Sequence, residues 1–125
     1  MALPPCIVIH GPAHARLALA PGLPVTLLSA PAAALYAGAG WWRALIAATA
    51  PATPDIIDCA DAPGRALEAL SLGCRHLVLL PCPAWDTVAA RAEAQNAVLL
   101  AARPPALDLG RPGASRGVAA WLGFR

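Results

Sequence analysis

Side chains that could take part in chemistry stand at or just after the ends of five short apolar runs. The runs cover residues 6–10, 25–29, 55–59, 76–80 and 97–100. The candidates comprise an imidazole, a hydroxyl, two carboxylates, two thiols and a guanidinium: His10, Ser29, Asp58, Asp61, Cys59, Cys82 and Arg103. Residues of these types bind small molecules, and some of them could act as an acid, a base or a nucleophile.

The five runs alternate with alanine-rich segments of helical pattern, which indicates how the candidates are positioned. Each run is apolar on both faces and is bounded by glycine or proline, as buried strands are. We predict a three-layer, doubly wound α/β domain with about five mostly parallel strands in βαβαβαβαβ order. Ligands of such sheets bind beyond the carboxyl ends of the strands, so we expect the seven candidates to line that edge.

A (β/α) barrel has the same local alternation and is the competing architecture. Residues 66–70, followed by Gly73 and residues 77–79, resemble the helix–strand units of barrel enzymes. Eight such units need about 250 residues, and the chain has 125, so a complete barrel is excluded.

The pattern changes after Arg103, where Pro104 and Pro105 interrupt it. We therefore assign residues 1–103 to the α/β domain and residues 104–125 to an irregular C-terminal tail. The tail contains apolar residues, including Trp121 and Phe124, so we expect it to dock on its own core or on a neighbouring subunit.

No complete catalytic motif is present, which leaves binding and catalysis as alternatives. A small enzyme would use Asp58, Cys59, His10 and, as a further nucleophile, Cys82 between two prolines at the start of a helix. Structural roles compete with these assignments, because His10 could bond a loop carbonyl and Asp61 could cap a helix. We expect that helix to have Pro63 in its first turn and to end at Gly73 in the left-handed conformation. An enzyme should bring at least two of these side chains within hydrogen-bond reach in a cleft.

Composition narrows the set of partners. The four cysteines lack metal-ligand spacing, so we expect no metal site, and no motif specifies a cofactor. The net charge is only +2, all nine cations are scattered arginines, and no basic stripe indicates nucleic acid. Abundant alanine without lysine is typical of a GC-rich bacterial genome.

The helical segment of residues 31–49 contains the paired indoles Trp41 and Trp42. Adjacent helical residues point about 100° apart, so one indole can enter the core while the other cannot. The segment could form a homodimer interface, line a small pocket with Ser29, or be entirely buried. We name as interface candidates the small and aromatic residues of this segment and of the tail: Tyr36, Gly38, Trp41, Trp42, Trp121 and Phe124.

Residues 17–42 carry no charge and are numerous enough to span a bilayer. Because Pro21, Pro24 and Pro31 interrupt the stretch, we predict buried elements and no membrane span. Free thiols and the absence of a basic, signal-like start indicate the cytoplasm. The favoured hypothesis is a non-enzymatic, homo-oligomeric domain that binds a partner or a small molecule.

Overall fold

The five apolar runs form strands, and a sixth strand joins them in one open parallel sheet flanked by helices. The computed structural model describes residues 2–123. It confirms the α/β class with one open parallel sheet, which has six strands where we predicted about five. The strands are β1 (Cys6–Val8), β2 (Thr26–Leu28), β3 (Asp55–Asp58), β4 (His76–Val78), β5 (Val98–Leu100) and β6 (Ala106–Asp108). The helices are α1 (Pro12–Leu19), α2 (Ala33–Tyr36), α3 (Ala39–Thr49), α4 (Pro63–Ser71), α5 (Trp85–Ala94) and α6 (Val118–Trp121), the last preceded by a 3-10 turn (Ala114–Gly117).

The order of strands across the sheet is β5-β4-β3-β2-β1-β6. The chain therefore advances in one direction from β1 to β5 and then places β6 on the other side of β1. Cys6 is aligned with Thr26 of β2 and with Ala106 of β6. The strand order reverses at β1, which gives the sheet a switch point between β1 and β6.

Strand β6 lies inside the segment that we predicted to be an irregular tail. Its three residues Ala-Leu-Asp follow two prolines and form no strong apolar run, so the sequence did not indicate a strand there. Pairing with β1 supplies the missing hydrogen bonds, and the Leu109 N–H continues the ladder to the Val8 carbonyl. Leu109, Val118 and Leu122 are buried in the main core, so this segment packs on its own chain.

The two faces of the sheet are covered differently. Alternate strand residues such as Ile7, Leu27 and Ile57 belong to the large core that includes buried residues of all six helices. The residues between them, such as Val8 and Ile56, form a smaller cluster that contains no helix residue. We call this second side the sparsely covered face.

The connection from β5 to β6 runs across the sparsely covered face. It consists only of residues 101–105, although it joins the two opposite edges of the sheet. On the way, the Arg103 guanidinium bonds to the Ser29 carbonyl and to the Asp58 carboxylate, which follow β2 and end β3. The connection between β5 and β6 thus places the Arg103 cation at the carboxyl edge of the sheet.

The single long helix predicted for residues 31–49 is wrong. Gly38 adopts a φ of +91°, which ends α2 and separates it from α3. This region of φ favours glycine and accounts for Gly38 within an otherwise helical pattern. Ala39, Trp42 and Ile46 are buried residues of α3. Leu35 belongs to α2 instead, and its side chain is exposed.

Two expectations about the ends of α4 have different outcomes. Pro63 occupies its first turn and Gly73, with a φ of +86°, follows its end, as predicted. Asp61 does not cap the helix, because the capping position belongs to Ala62 and no side chain caps it.

The uncharged stretch of residues 17–42 contains no membrane-spanning helix. Within residues 2–123, every helix is too short to cross a membrane.

Candidate functional site

Three predicted site residues meet at the carboxyl ends of β2 and β3: Ser29, Asp58 and Arg103. The Asp58 carboxylate is almost fully buried, and its Oδ2 accepts from Arg103 Nη1 at 2.7 Å. The same nitrogen donates to the Ser29 carbonyl at 3.0 Å, while the Ser29 hydroxyl accepts from the Asp58 N–H at 2.9 Å. Each buried polar group of this trio has a partner, which satisfies the condition for burying a carboxylate.

Local backbone structure after β3 fixes the orientation of Asp58. Its second oxygen, Oδ1, accepts from the Ala60 N–H at 2.7 Å, a bond of the kind that Asp makes in tight turns. Ala60 has a φ of +49°, and its carbonyl accepts from the Leu80 N–H. A left-handed alanine is strained by about 1–2 kcal/mol, so these bonds hold the turn against its local preference.

A second polar group, which contains one predicted residue, lies at the ends of β1 and β6. His10 Nε2 is 2.7 Å from Asp108 Oδ1, and the Gly110 N–H donates to the same oxygen at 2.8 Å. A carboxylate only accepts hydrogen bonds, so the proton of this bond lies on His10 Nε2. The His10 backbone N–H in turn donates to Nδ1 of His14.

The ionisation of Asp108 reflects these contacts. Partial burial acts to raise the pKa of its carboxyl, but the hydrogen bonds from His10 and Gly110, together with the nearby charge of Arg111, hold the pKa below its ordinary value. Asp108 is therefore a carboxylate at neutral pH. Both donors meet Oδ1, and Oδ2 makes no hydrogen bond within residues 2–123.

Between the two polar groups lies a pocket of about 450 Å³, here called the carboxyl-edge pocket. Its walls come from β1, β6, the loop after β2 and the crossing connection. The lining includes Val8, Pro31, Arg103, Leu107, Asp108 and Arg111. Two guanidinium groups thus share a small concave site with one carboxylate, whose Oδ1 accepts from His10 and Gly110.

The remaining predicted site residues lie apart from this pocket. Cys59 is fully buried in the large core, where burial, with smaller contributions from Asp58 and other nearby acidic groups, raises the pKa of its thiol to about 12. Cys82 is half-buried and precedes α5 by three positions, so its thiol is not in the first helical turn. Asp61 is exposed, and no side-chain hydrogen bond involving it occurs within residues 2–123.

Asp108, Gly110 and Arg111 were missed by sequence reasoning. They follow a strand that the pattern did not indicate, and they reach the site only because β6 pairs with β1. Gly110 allows the close approach, since a Cβ added there would lie 2.7 Å from His10 Nε2. A sequence signal existed only in the Asp-Leu-Gly-Arg stretch itself, which is too short to locate a site.

The predicted interface residues separate into exposed and buried sets. Tyr36 is 69% and Trp41 38% exposed, whereas Trp42 is 0% exposed and donates its indole N–H to Asp55 at 2.9 Å. The expectation that the two indoles point differently is confirmed. The indole of Trp121 donates to the Cys6 carbonyl at 2.7 Å, and Phe124 lies outside the described residues.

A larger pocket of about 510 Å³ lies on the sparsely covered face towards the amino ends of the strands. It shares Pro104 with the carboxyl-edge pocket, so the crossing connection stands between the two. Here it is called the apolar pocket.

Neither pocket has the ligands of a metal centre, since no group of three histidine, cysteine or acidic side chains in residues 2–123 could hold an ion. Comparison of the chain with protein-family models, curated proteins and solved structures finds no match. The geometry of the two pockets is therefore the basis on which a function can be assigned.

Proposed function

We propose that this protein is a non-enzymatic binding protein for a small anionic molecule, held in the carboxyl-edge pocket. The observation that carries the proposal is the presence of Arg103 and Arg111 in one pocket of about 450 Å³. A volume of this size suits a metabolite-sized ligand. Guanidinium groups recognise carboxylate and phosphate groups by paired hydrogen bonds.

The charges of the pocket support an anion. Arg103 uses only Nη1 for its bonds to Asp58 and Ser29, so three of its five N–H donors remain for a ligand. The side chain of Arg111 makes no hydrogen bond or ion pair within residues 2–123. The Asp108 carboxylate accepts from His10 and Gly110 through Oδ1 alone, so within residues 2–123 the free donors of the two guanidinium groups outnumber the one free carboxylate oxygen, Oδ2.

The position of the pocket also supports ligand binding. Open α/β sheets bind ligands in the crevice beyond the strand ends where the strand order reverses. In this sheet the reversal falls between β1 and β6, whose Val8 and Leu107 both line the pocket.

Binding is favoured over catalysis by the contacts of the four candidate catalytic residues. Within residues 2–123, no side-chain hydrogen bond joins any two of His10, Asp58, Cys59 and Cys82. Asp58 is neutralised by Arg103, and burial keeps the Cys59 thiol protonated. A nucleophile with an adjacent base, which the enzyme alternative requires, is not formed by these four.

The test is calorimetric titration of the native protein with inorganic phosphate and, separately, with citrate. We expect saturable binding of at least one probe and a loss of about tenfold in affinity for Arg111→Gln, the equivalent of about 1.4 kcal/mol. Arg16→Gln is the matched control, because Arg16 lies in the last turn of α1 and does not line the pocket. Equal losses in both variants, or no saturable binding of either anion, would refute the proposal.

We further propose that the protein forms a homodimer through the exposed side chains of Leu35, Tyr36 and Trp41. A second copy suits these three side chains because they are apolar or aromatic and belong to a stretch, residues 17–42, that contains no charge. Aromatic anchors of this kind dominate many interfaces. Sedimentation should show a dimer that Trp41→Gln dissociates and Leu72→Gln does not, while a monomeric wild type excludes this interface.

The compartment that fits best is a reducing cytoplasm. All four cysteines, none of them beyond the described residues, are free thiols. Free thiols persist where glutathione and thioredoxin keep them reduced.

A further inference from the structure

The apolar pocket is a concave site whose walls come from three separate parts of the chain. The floor is formed by strand residues of the sparsely covered face, including Ile56, Val98 and Leu100. Residues 2–5 form one wall, and Pro104, Pro105 and the indole of Trp121 form the others. This arrangement makes a hollow of about 510 Å³ where the sheet alone would present a flatter surface.

Hydrogen bonds hold the walls in place without a ligand. The Pro4 carbonyl accepts from the Thr26 hydroxyl at 2.8 Å, and the Pro5 carbonyl accepts from the Thr26 N–H at 2.9 Å. Trp121 is tied to the Cys6 carbonyl through its indole N–H. The fixed backbone angle of the wall prolines limits their movement further. The hollow is therefore preformed, which lowers the entropic cost of filling it.

The lining has almost no polar character. Among residues 2–123 the lining contains no charged residue, and the indole N–H of Trp121 is already bonded. The one polar side chain that these residues contribute is His76, whose ring makes no hydrogen bond to any residue of the described chain. Burial, reinforced by Arg75 and opposed by Asp55, lowers the pKa of this imidazole, so the ring is neutral at pH 7.

We propose that the apolar pocket binds an uncharged, largely apolar small molecule whose single hydrogen-bonding group meets His76. A charged ligand would lose its hydration in a lining that offers no opposite charge. The pocket volume lies within the range of about 300–1,000 Å³ found for small-molecule sites. Its concavity, fixed by the wall contacts, favours a small molecule over a flat protein surface.

The test uses the uncharged fluorophore N-phenyl-1-naphthylamine with the full-length native protein. We expect a saturable, blue-shifted fluorescence increase at one probe per chain. Val98→Arg places a cation at the pocket and should weaken binding at least tenfold. Leu72→Arg is the matched control, because Val98 and Leu72 are similarly exposed, at 45% and 48%, and Leu72 does not line the pocket. Circular dichroism establishes that both variants are folded.

Competition then defines the ligand class. Decan-1-ol should displace the probe at lower concentration than decanoate at pH 7.5, because the pocket offers no cation to the carboxylate. Stronger displacement by decanoate, equal weakening by both arginine variants, or no saturable signal would each overturn the proposal. So would a wild-type dimer that excludes the probe and that Val98→Arg dissociates, because a second copy would then cover the pocket.

Discussion

The Arg103 Nη1 atom lies 2.7 Å from Asp58 Oδ2, although the two residues are separated by 45 positions in sequence. Asp58 ends β3 and is only 3% exposed, while Arg103 belongs to the connection that crosses the sheet. The ion pair therefore neutralises a buried carboxylate and fastens the crossing connection to the strands beneath it.

Removal of the Arg103 cation should destabilise the fold. Arg103→Leu leaves the Asp58 carboxylate buried with one backbone donor. Breaking a buried pair costs about 3–5 kcal/mol, and we expect about 2–3 kcal/mol here because Arg103 is partly exposed. Arg65→Leu, which breaks the exposed pair with Glu68, should cost less than about 0.5 kcal/mol. Urea unfolding measures both values, and similar losses in the two variants would contradict a buried pair.

Gly110→Ala should disrupt the pair of His10 and Asp108. The added methyl group would lie 2.7 Å from His10 Nε2 and 3.1 Å from Asp108 Oδ1, so the imidazole must move. We expect a loss of about 1–3 kcal/mol, as for other overpacked sites, and a shift of the His10 ring signals in NMR spectra. Gly64→Ala, in open space within α4, should instead be neutral or stabilising by up to about 1 kcal/mol. An unshifted His10 signal in Gly110→Ala would show that the contact is unimportant.

His76 should make the protein less stable in weak acid. Burial lowers the pKa of its imidazole in the folded state, while Asp55 acts to raise it and Arg75 to lower it. Arg43 lines the neighbouring surface beside these three groups. The unfolded chain therefore takes up this proton at higher pH than the folded chain, so stability falls as the pH drops below about 6.5.

Thermal unfolding between pH 7.5 and pH 5 tests this dependence. The melting temperature of His76→Gln should fall less between these pH values than that of the wild type. His14→Gln, at a half-buried position that lines neither of the pockets containing His76, should show the full wild-type decrease. The same decrease in all three proteins would assign it to other groups.

The buried thiols should destabilise the fold in alkali. Burial raises the pKa of Cys59 to about 12 and that of Cys74 to about 11, from an ordinary value of 9.0. Stability is thus fully present below pH 9 and is lost as the pH rises from 9 towards these values. The chain has no lysine and one tyrosine, so few other side chains titrate in this range.

Both thiols together should reduce the free energy of unfolding by about 2–3 kcal/mol between pH 8 and pH 10. Measurements under reducing conditions should show a flatter profile for the double variant Cys59→Ala with Cys74→Ala. Cys82→Ala, at a half-buried site, should keep the wild-type slope. A wild-type profile that is already flat up to pH 10 would contradict the protection of the two thiols.

The local sequence pattern predicted the strands and several of the residues at their carboxyl ends. Such a pattern shows which residues are buried and where the chain turns. Apolar runs bounded by glycine and proline located β1 to β5, each shorter by one to two residues than expected. Ligands of open α/β sheets bind beyond the carboxyl ends of the strands, and on that basis we predicted Ser29, Asp58 and Arg103 at one edge of the sheet. Hydrogen bonds join the three residues there. Gly73 was correctly expected in the left-handed region, because a glycine there follows the end of a helix.

Features that depend on distant parts of the chain were not predictable in this way. Strand β6 exists through its pairing with β1, so Asp108 and Arg111 gave no local sign of a site. Gly38 fits either the interior of a helix or a break, and only packing decides between them. The apolar pocket likewise depends on residues 2–5, Pro104 and Trp121 meeting on one face.

The position of β6 has a consequence for synthesis on the ribosome. Its partner β1 is made about 100 residues earlier, so at about 5–20 residues per second one edge of β1 has no partner for about 5–20 seconds. An unpaired parallel edge of apolar residues is a template for association with other chains. The nascent polypeptide is thus most prone to aggregation just before its last strand emerges, and a chaperone that shields β1 would act in that interval.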